Sequence, residues 1–149
     1  MTVARYAGVL AFHRDRIVLV REEYPTWGGE FWNIPSGRVE DDESPAQGAA
    51  RELGEETGLV VSPDRLVVVS TAETRHADRV SRAWNHRVDV FEPELRVADP
   101  DGLVREARWF DVPEAVDALT RLPSPPLAEP AVAWLTGAAE VGRHWTFEL

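Results

Sequence analysis

The 149-residue chain contains no cysteine and no lysine; its sixteen basic residues are all arginine. Without cysteine there is no disulfide, no thiol nucleophile, no iron–sulfur cluster and no cysteine-ligated zinc. Without lysine there is no Schiff base, no amine general base and no phosphate loop that needs Lys after its last Gly. Long apolar runs are missing as well. None approaches the roughly 18 residues of a membrane span, and Met1 to Tyr6 lacks a basic segment leading into an apolar stretch. A cytoplasmic protein with no membrane partner is therefore expected. Positive charge is scarce: 26 Asp and Glu against 16 Arg leave a net charge of −10. Such a chain repels phosphate backbones, so no nucleic-acid partner is expected. The length suits one domain, residues 1–149, which can bury roughly 70% of its unfolded surface without a disulfide or structural metal.

The apolar pattern predicts strands over Val3–Phe12 and Arg16–Val20, joined as a hairpin through His13-Arg14-Asp15. Tyr24 to Gly37 mixes Gly and Pro with aromatics and reads as a loop. Further strands are predicted over Arg65–Thr71, Asn85–Glu92 and Val104–Phe110, with a turn at Asp99-Pro100-Asp101-Gly102. Asp111 and Pro113 open a helix through Arg121; Pro123 to Pro126 read as a connector. Glu129-Pro130 opens a last helix through Ala139, followed by a tail. Strands and helices mix without regular alternation, which predicts an α/β (α+β) fold, either α+β or α/β/α layers on a mixed sheet.

The clearest local signals surround one helix. Ser44 can cap it, Pro45 takes the first helical position, Gln47 completes a capping box and Gly58 stands at the C-terminal end. Ala46, Ala49, Ala50, Leu53 and Thr57 form its apolar stripe. Glu52, Glu55 and Glu56 share another face at i, i+3 and i+4. Gly48 lies one turn earlier, and an interior glycine there implies close approach of another chain segment. Three carboxylates near the negative end of a helix dipole repel one another and call for positive charge. Arg51 could orient one or two of them. A hard divalent cation, Mg2+ or Mn2+, could neutralise all three.

Gly37 to Leu59 resembles the Nudix box: Gly37, five residues, Glu43, seven residues, Arg51-Glu52, Leu53, one residue, Glu55-Glu56, one residue, Gly58, Leu59. Residue frequencies of this chain give such a match by chance about once in a million. Trp32-Asn33-Ile34-Pro35 and Glu106 to Phe110 also look like that family's flanking elements. The resemblance implies a Nudix-type α/β/α sandwich with a mixed sheet. It also implies metal-dependent hydrolysis of a diphosphate linkage in a nucleoside-diphosphate derivative. By that resemblance Glu52, Glu55 and Glu56 would bind Mg2+ (or Mn2+), with the Gly37 carbonyl as a further ligand and Glu43 turned toward the cluster. Arg51 would hold the carboxylates in register, and one carboxylate, such as Glu106, Asp101 or Glu92, would take the proton of the attacking water.

Tyr24, Trp27 and Trp32 border the loop entering the box and could stack on a base, and Arg38 could touch phosphate. The partner implied is a small nucleotide or nucleoside-diphosphate derivative, and a homodimer is compatible because the fold often pairs. Two other readings stay open. One is a non-catalytic Nudix-fold nucleotide-binding sensor, which has no need of three repelling glutamates. The other is an isomerase on the same fold, which usually wants a cysteine.

Overall fold

The computed structural model describes residues 2–149. β1 (Thr2–His13) and β2 (Arg16–Tyr24) form the predicted hairpin, with Phe12 opposite Ile17 and His13 opposite Arg16. Alternation along them feeds two cores. Leu10, Phe12, Ile17 and Leu19 face one side, whereas Ala7, Val9, Ala11 and Val18 face the other. The first side is covered by α2 (Val112–Thr120) and α3 (Pro125–Leu135). The second is covered by α1 (Pro45–Thr57). The result is an α/β/α sandwich on a mixed sheet.

The remaining strands are β3 (Gly29–Asn33), β4 (Ser36–Arg38), β5 (Val67–Arg75), β6 (Arg79–Asp89), β7 (Val104–Asp111) and β8 (Arg143–Glu148). The sheet runs β3-β2-β1-β6-β5-β8, with β4 also on β1 and β7 on β2. β1–β6 and β5–β8 are parallel; the other pairs are antiparallel. β1 and β2 part soon after their turn. β4 takes over the edge of β1 at Tyr6–Gly8, and β3 takes the edge of β2 at Val20–Tyr24. Ile34 and Pro35 fill the wedge, and Val9 N–H donates to Pro35 O at 2.9 Å. This split presents Ser36 and Gly37 to α1.

Three expectations need correction. The segment from Tyr24 to Gly37 is not a continuous loop, because its aromatics and Asn33 extend the sheet as β3 and Ser36–Arg38 adds β4. The last helix starts at Pro125 and ends at Leu135. Prolines are tolerated in a first helical turn, where amides have no helical acceptor. The tail pairs with β5 as β8. Among the described residues no helix is long and apolar enough to cross a membrane.

Candidate active site

α1 begins as its sequence demands. Ser44 Oγ accepts from Gln47 N–H at 3.1 Å, and the Gln47 side chain accepts from Ser44 N–H at 2.8 Å. Gly58 ends the helix at φ +78°. A Cβ on Gly48 would lie 3.2 Å from Val39 Cγ2, which is the close approach its place in the helix implied. The open carbonyls at the C-terminal end are satisfied from outside: Ala98 N–H donates to Glu55 O at 2.8 Å, and Arg96 N–H to Thr57 O at 2.7 Å. Those bonds swing the following turn, Asp99 to Leu103, over the acidic face of the helix. Asp99 spends its carboxylate on the amides of Leu103 and Val104, both at 3.0 Å.

The outcome is an open cleft of about 670 Å³. Glu52, Glu55, Glu56, Arg51, Arg38 and the Gly37–Asp41 backbone line it from one side, and Glu22, Asp99 and Asp101 from the other. Glu56 is 3% exposed and accepts from Ser36 N–H at 3.1 Å. Burial, then the neighbouring Glu52, pushes its carboxyl up to about 10. Glu56 therefore keeps its proton at neutral pH and donates it to Glu52, whose own pKa burial also raises.

Arg51 ties the rest together. It grips Glu43 through Nε and Nη2 at 2.9 and 3.0 Å, reaches Glu52 and Glu55 through Nη1 at 3.0 and 3.4 Å, and donates to Arg38 O at 2.9 Å. These anions raise the guanidinium's pKa, Glu43 foremost. Glu43 answers with a lowered one, chiefly through Arg51, and caps Glu40 N–H at 2.9 Å.

Among the described residues no three His, Cys, Asp or Glu side chains already converge as a metal shell. The donor chemistry still fits a hard divalent cation. Every candidate donor is oxygen, and Glu56, which burial and then Glu52 and Glu22 hold in its protonated form, is a carboxyl that a cation beside it would ionise. Gly37 keeps the floor open: a Cβ there would sit 2.3 Å from the Glu52 carboxylate.

A second hollow of about 250 Å³ lies across the wedge, and Glu22, Ser36 and Gly37 wall both. Tyr6, Ile34, Ala72, Ala83, Leu127 and Pro130 make it mostly apolar, with the side-chain amides of Asn33 and Asn85 among them. Asn33 donates to Tyr24 Oη at 3.0 Å. Burial, then Glu22, raises the pKa of Tyr24, so its hydroxyl stays protonated and donates to Glu22.

Of the residues expected from sequence, Gly37, Arg38, Arg51, Glu52, Glu55 and Glu56 meet in the cleft, and Tyr24 lines the apolar hollow. Glu43 is brought to Arg51 instead of the open cleft. Glu106 sits outside it, paired with Arg21 at 3.3 Å. Trp32 lines neither hollow; it packs edge-on against Phe110 beneath Arg108. Trp27 packs on Tyr24 and Phe31. Glu22, Asn33 and Asn85 were missed. A bulge between Arg21 and Glu22 breaks the alternation that would have assigned Glu22 a face.

Residues 2–135 match the NUDIX domain family. Among curated relatives, the chain is 41% identical over 111 residues to a Myxococcus xanthus protein named octanoyltransferase, covering 70% of this chain and 29% of that one. It is 31% identical over 106 residues to rat diphosphoinositol polyphosphate phosphohydrolase 2, covering 70% and 55%. Over 61 residues it is 36% identical to Proteus vulgaris 8-oxo-dGTP diphosphatase, covering 41% and 54%. The chain thus spans about a third to a little over half of these relatives' lengths. The E. coli ORF135 protein has the same fold, with TM-score 0.70, 22% identity and coverage of 92% and 94%. So does a NUDIX hydrolase from Nitrosomonas europaea, with TM-score 0.71, 14% identity and coverage of 100% and 81%. The box residues, the sandwich and a match over most of the chain place this protein in the Nudix domain family.

Proposed function

We propose that the protein is a metal-dependent hydrolase of a phosphoanhydride in nucleoside-diphosphate-X substrates, with water attacking phosphorus. The observation that carries this reading is the junction at Glu22, Ser36 and Gly37, where an acidic cleft opens into an apolar hollow. A nucleotide has the same two-part chemistry. Its diphosphate needs a cation bridge to approach glutamates, and its base needs flat apolar walls with a few amides. Two relatives carry names that fit: a diphosphoinositol polyphosphate phosphohydrolase and an 8-oxo-dGTP diphosphatase.

Glu52, Glu55, Glu56 and the Gly37 carbonyl would hold Mg2+ or Mn2+. The cation supplies a polarising charge at phosphorus and lowers the pKa of water. Arg51 keeps Glu52 and Glu55 aimed at the cleft, and Glu43 keeps Arg51 in place. Arg38 offers its guanidinium to the outer phosphate. Asp101, on the turn facing α1, would accept the proton of the attacking water, since it lines the cleft while Glu106 is paired with Arg21. Asn85 would offer its amide to the heterocycle, while Asn33, committed to Tyr24 Oη and Ile34 N–H, holds the wall in place. A phosphate-studded inositol suits the hollow less, since its walls carry no Arg.

The test is a panel of nucleoside triphosphates, dinucleoside polyphosphates and nucleotide sugars with Mg2+, and again with EDTA. Metal-dependent release of a nucleoside monophosphate is expected. Tight binding without turnover of any compound would favour the nucleotide sensor instead.

A further inference from the structure

We propose that the free edge of β8 is a self-association surface, and that its occupant is β8 of a second copy running antiparallel. The strand lies beyond residues 2–135, the part matched by the family. It ends the sheet and pairs with β5 alone. Leu149 N–H donates to Arg75 O at 2.9 Å, in register with Thr74 opposite Phe147 and Arg75 opposite Glu148. Main-chain groups alternate sides along a strand. Trp145 and Phe147 therefore turn their amides to β5, Arg143 N–H donates back to Glu140 O at 3.2 Å, and His144, Thr146 and Glu148 turn theirs outward.

A two-fold axis perpendicular to the sheet would continue it into the second copy with both faces preserved. Only residues of equal parity can then stand opposite one another. The register centred on Thr146 fits the strand to itself. It pairs His144 with Glu148 of the second copy and Thr146 with its own equivalent, all through outward amides. Each such pair exchanges two main-chain hydrogen bonds. Trp145 falls opposite Phe147 of the second copy in the intervening positions, where side chains approach most closely. Within one chain these two rings already stack, with centroids 6.0 Å apart and planes within 1°. Trp145 Nε1 is also the one buried side-chain nitrogen or oxygen among the described residues with no hydrogen-bond partner.

The opposite end of the sheet is built differently. β3 carries Glu30, which Arg21 and Arg105 hold at 2.8 and 3.7 Å. Charged groups of this kind discourage edge pairing. Along β8 the same register instead sets the His144 imidazole beside the Glu148 carboxylate of a second copy, a pair able to hydrogen-bond.

The test is sedimentation of the full chain over a wide concentration range. A monomer–dimer equilibrium in the micromolar range is expected, since pairing of one six-residue strand lies at the small end of specific interfaces. T146P removes the central outward N–H and leaves the bonds to β5, so the dissociation constant should rise about 100-fold. In this cysteine-free chain, T146C should cross-link to a covalent dimer under mild oxidation while E30C stays monomeric. H144E should weaken association, and H144E/E148R should restore it, whether or not T146P folds. A monomer at every concentration overturns the proposal. So does a dimer that ignores the charge swap and does not cross-link through T146C.

Discussion

The two hollows that meet at Ser36 and Gly37 have opposite chemistry. On one side carboxylates gather at the end of α1, where burial and then Glu52 leave Glu56 with its proton. On the other, neutral side chains from β1, β5, β6 and α3 leave hydroxyls and two amides as the polar groups. On the proposed function the acidic side would take a cation and the apolar side an uncharged flat group. On that reading one wedge in the sheet would seat both halves of a charged, amphipathic substrate, with Glu22 at the border.

The strongest way to break the comparison is Glu56→Gln. It keeps the shape and neutrality of the protonated acid, so folding should be nearly unchanged. Turnover with Mg2+ should fall about 100-fold or more, because a cation ligand is gone; activity and melting assays on one preparation check both. Arg51→Ala should follow. It frees Glu43, Glu52 and Glu55 at once and should lower stability by about 1.5–3 kcal/mol, the worth of a charged hydrogen-bonding group, as read from urea unfolding.

The legible and illegible parts of the molecule fall along the same border. The acidic half was readable because it is local. Ser44, Gln47, Gly58 and the glutamates lie on one helix, where spacing fixes which side chains meet. The apolar half was not readable, because its wall comes from β1, β3, β5, β6 and α3, joined only by long-range pairing. The sequence alone makes Asn33 a loop residue and starts at Asn85 a strand that in fact begins at Arg79. Glu22 lay beyond the end of the strand read from sequence and behind a bulge. Residues 143–148, mixed in character and short, gave no sign of β8 until β5 was there to pair with them.

Two smaller effects sharpen the contrast. Gly37→Ala should push the Glu52 carboxylate aside, lowering metal affinity roughly tenfold with little loss of fold, since the colliding atoms end a flexible side chain. Metal titration and circular dichroism separate the two. The acidic side should also give the cation-free protein a distinctive pH response. Above the ordinary carboxylate range the unfolded chain has lost the Glu56 proton while the folded chain holds it up to about 10. Stability in EDTA should therefore fall as pH rises through that window, and thermal melts at a series of pH values would show it. The smallest effect belongs to the apolar side: Asn85→Leu should raise KM roughly tenfold through a lost amide contact and leave kcat unchanged.

The most direct measurement is calorimetric titration of Mn2+ into the wild-type protein at neutral pH in two buffers of different ionisation enthalpy. Saturable binding that releases about one proton is expected, because the cation must displace the one Glu56 shares with Glu52. No saturable binding, or binding with no proton released, would contradict the claim that these carboxylates gather a cation.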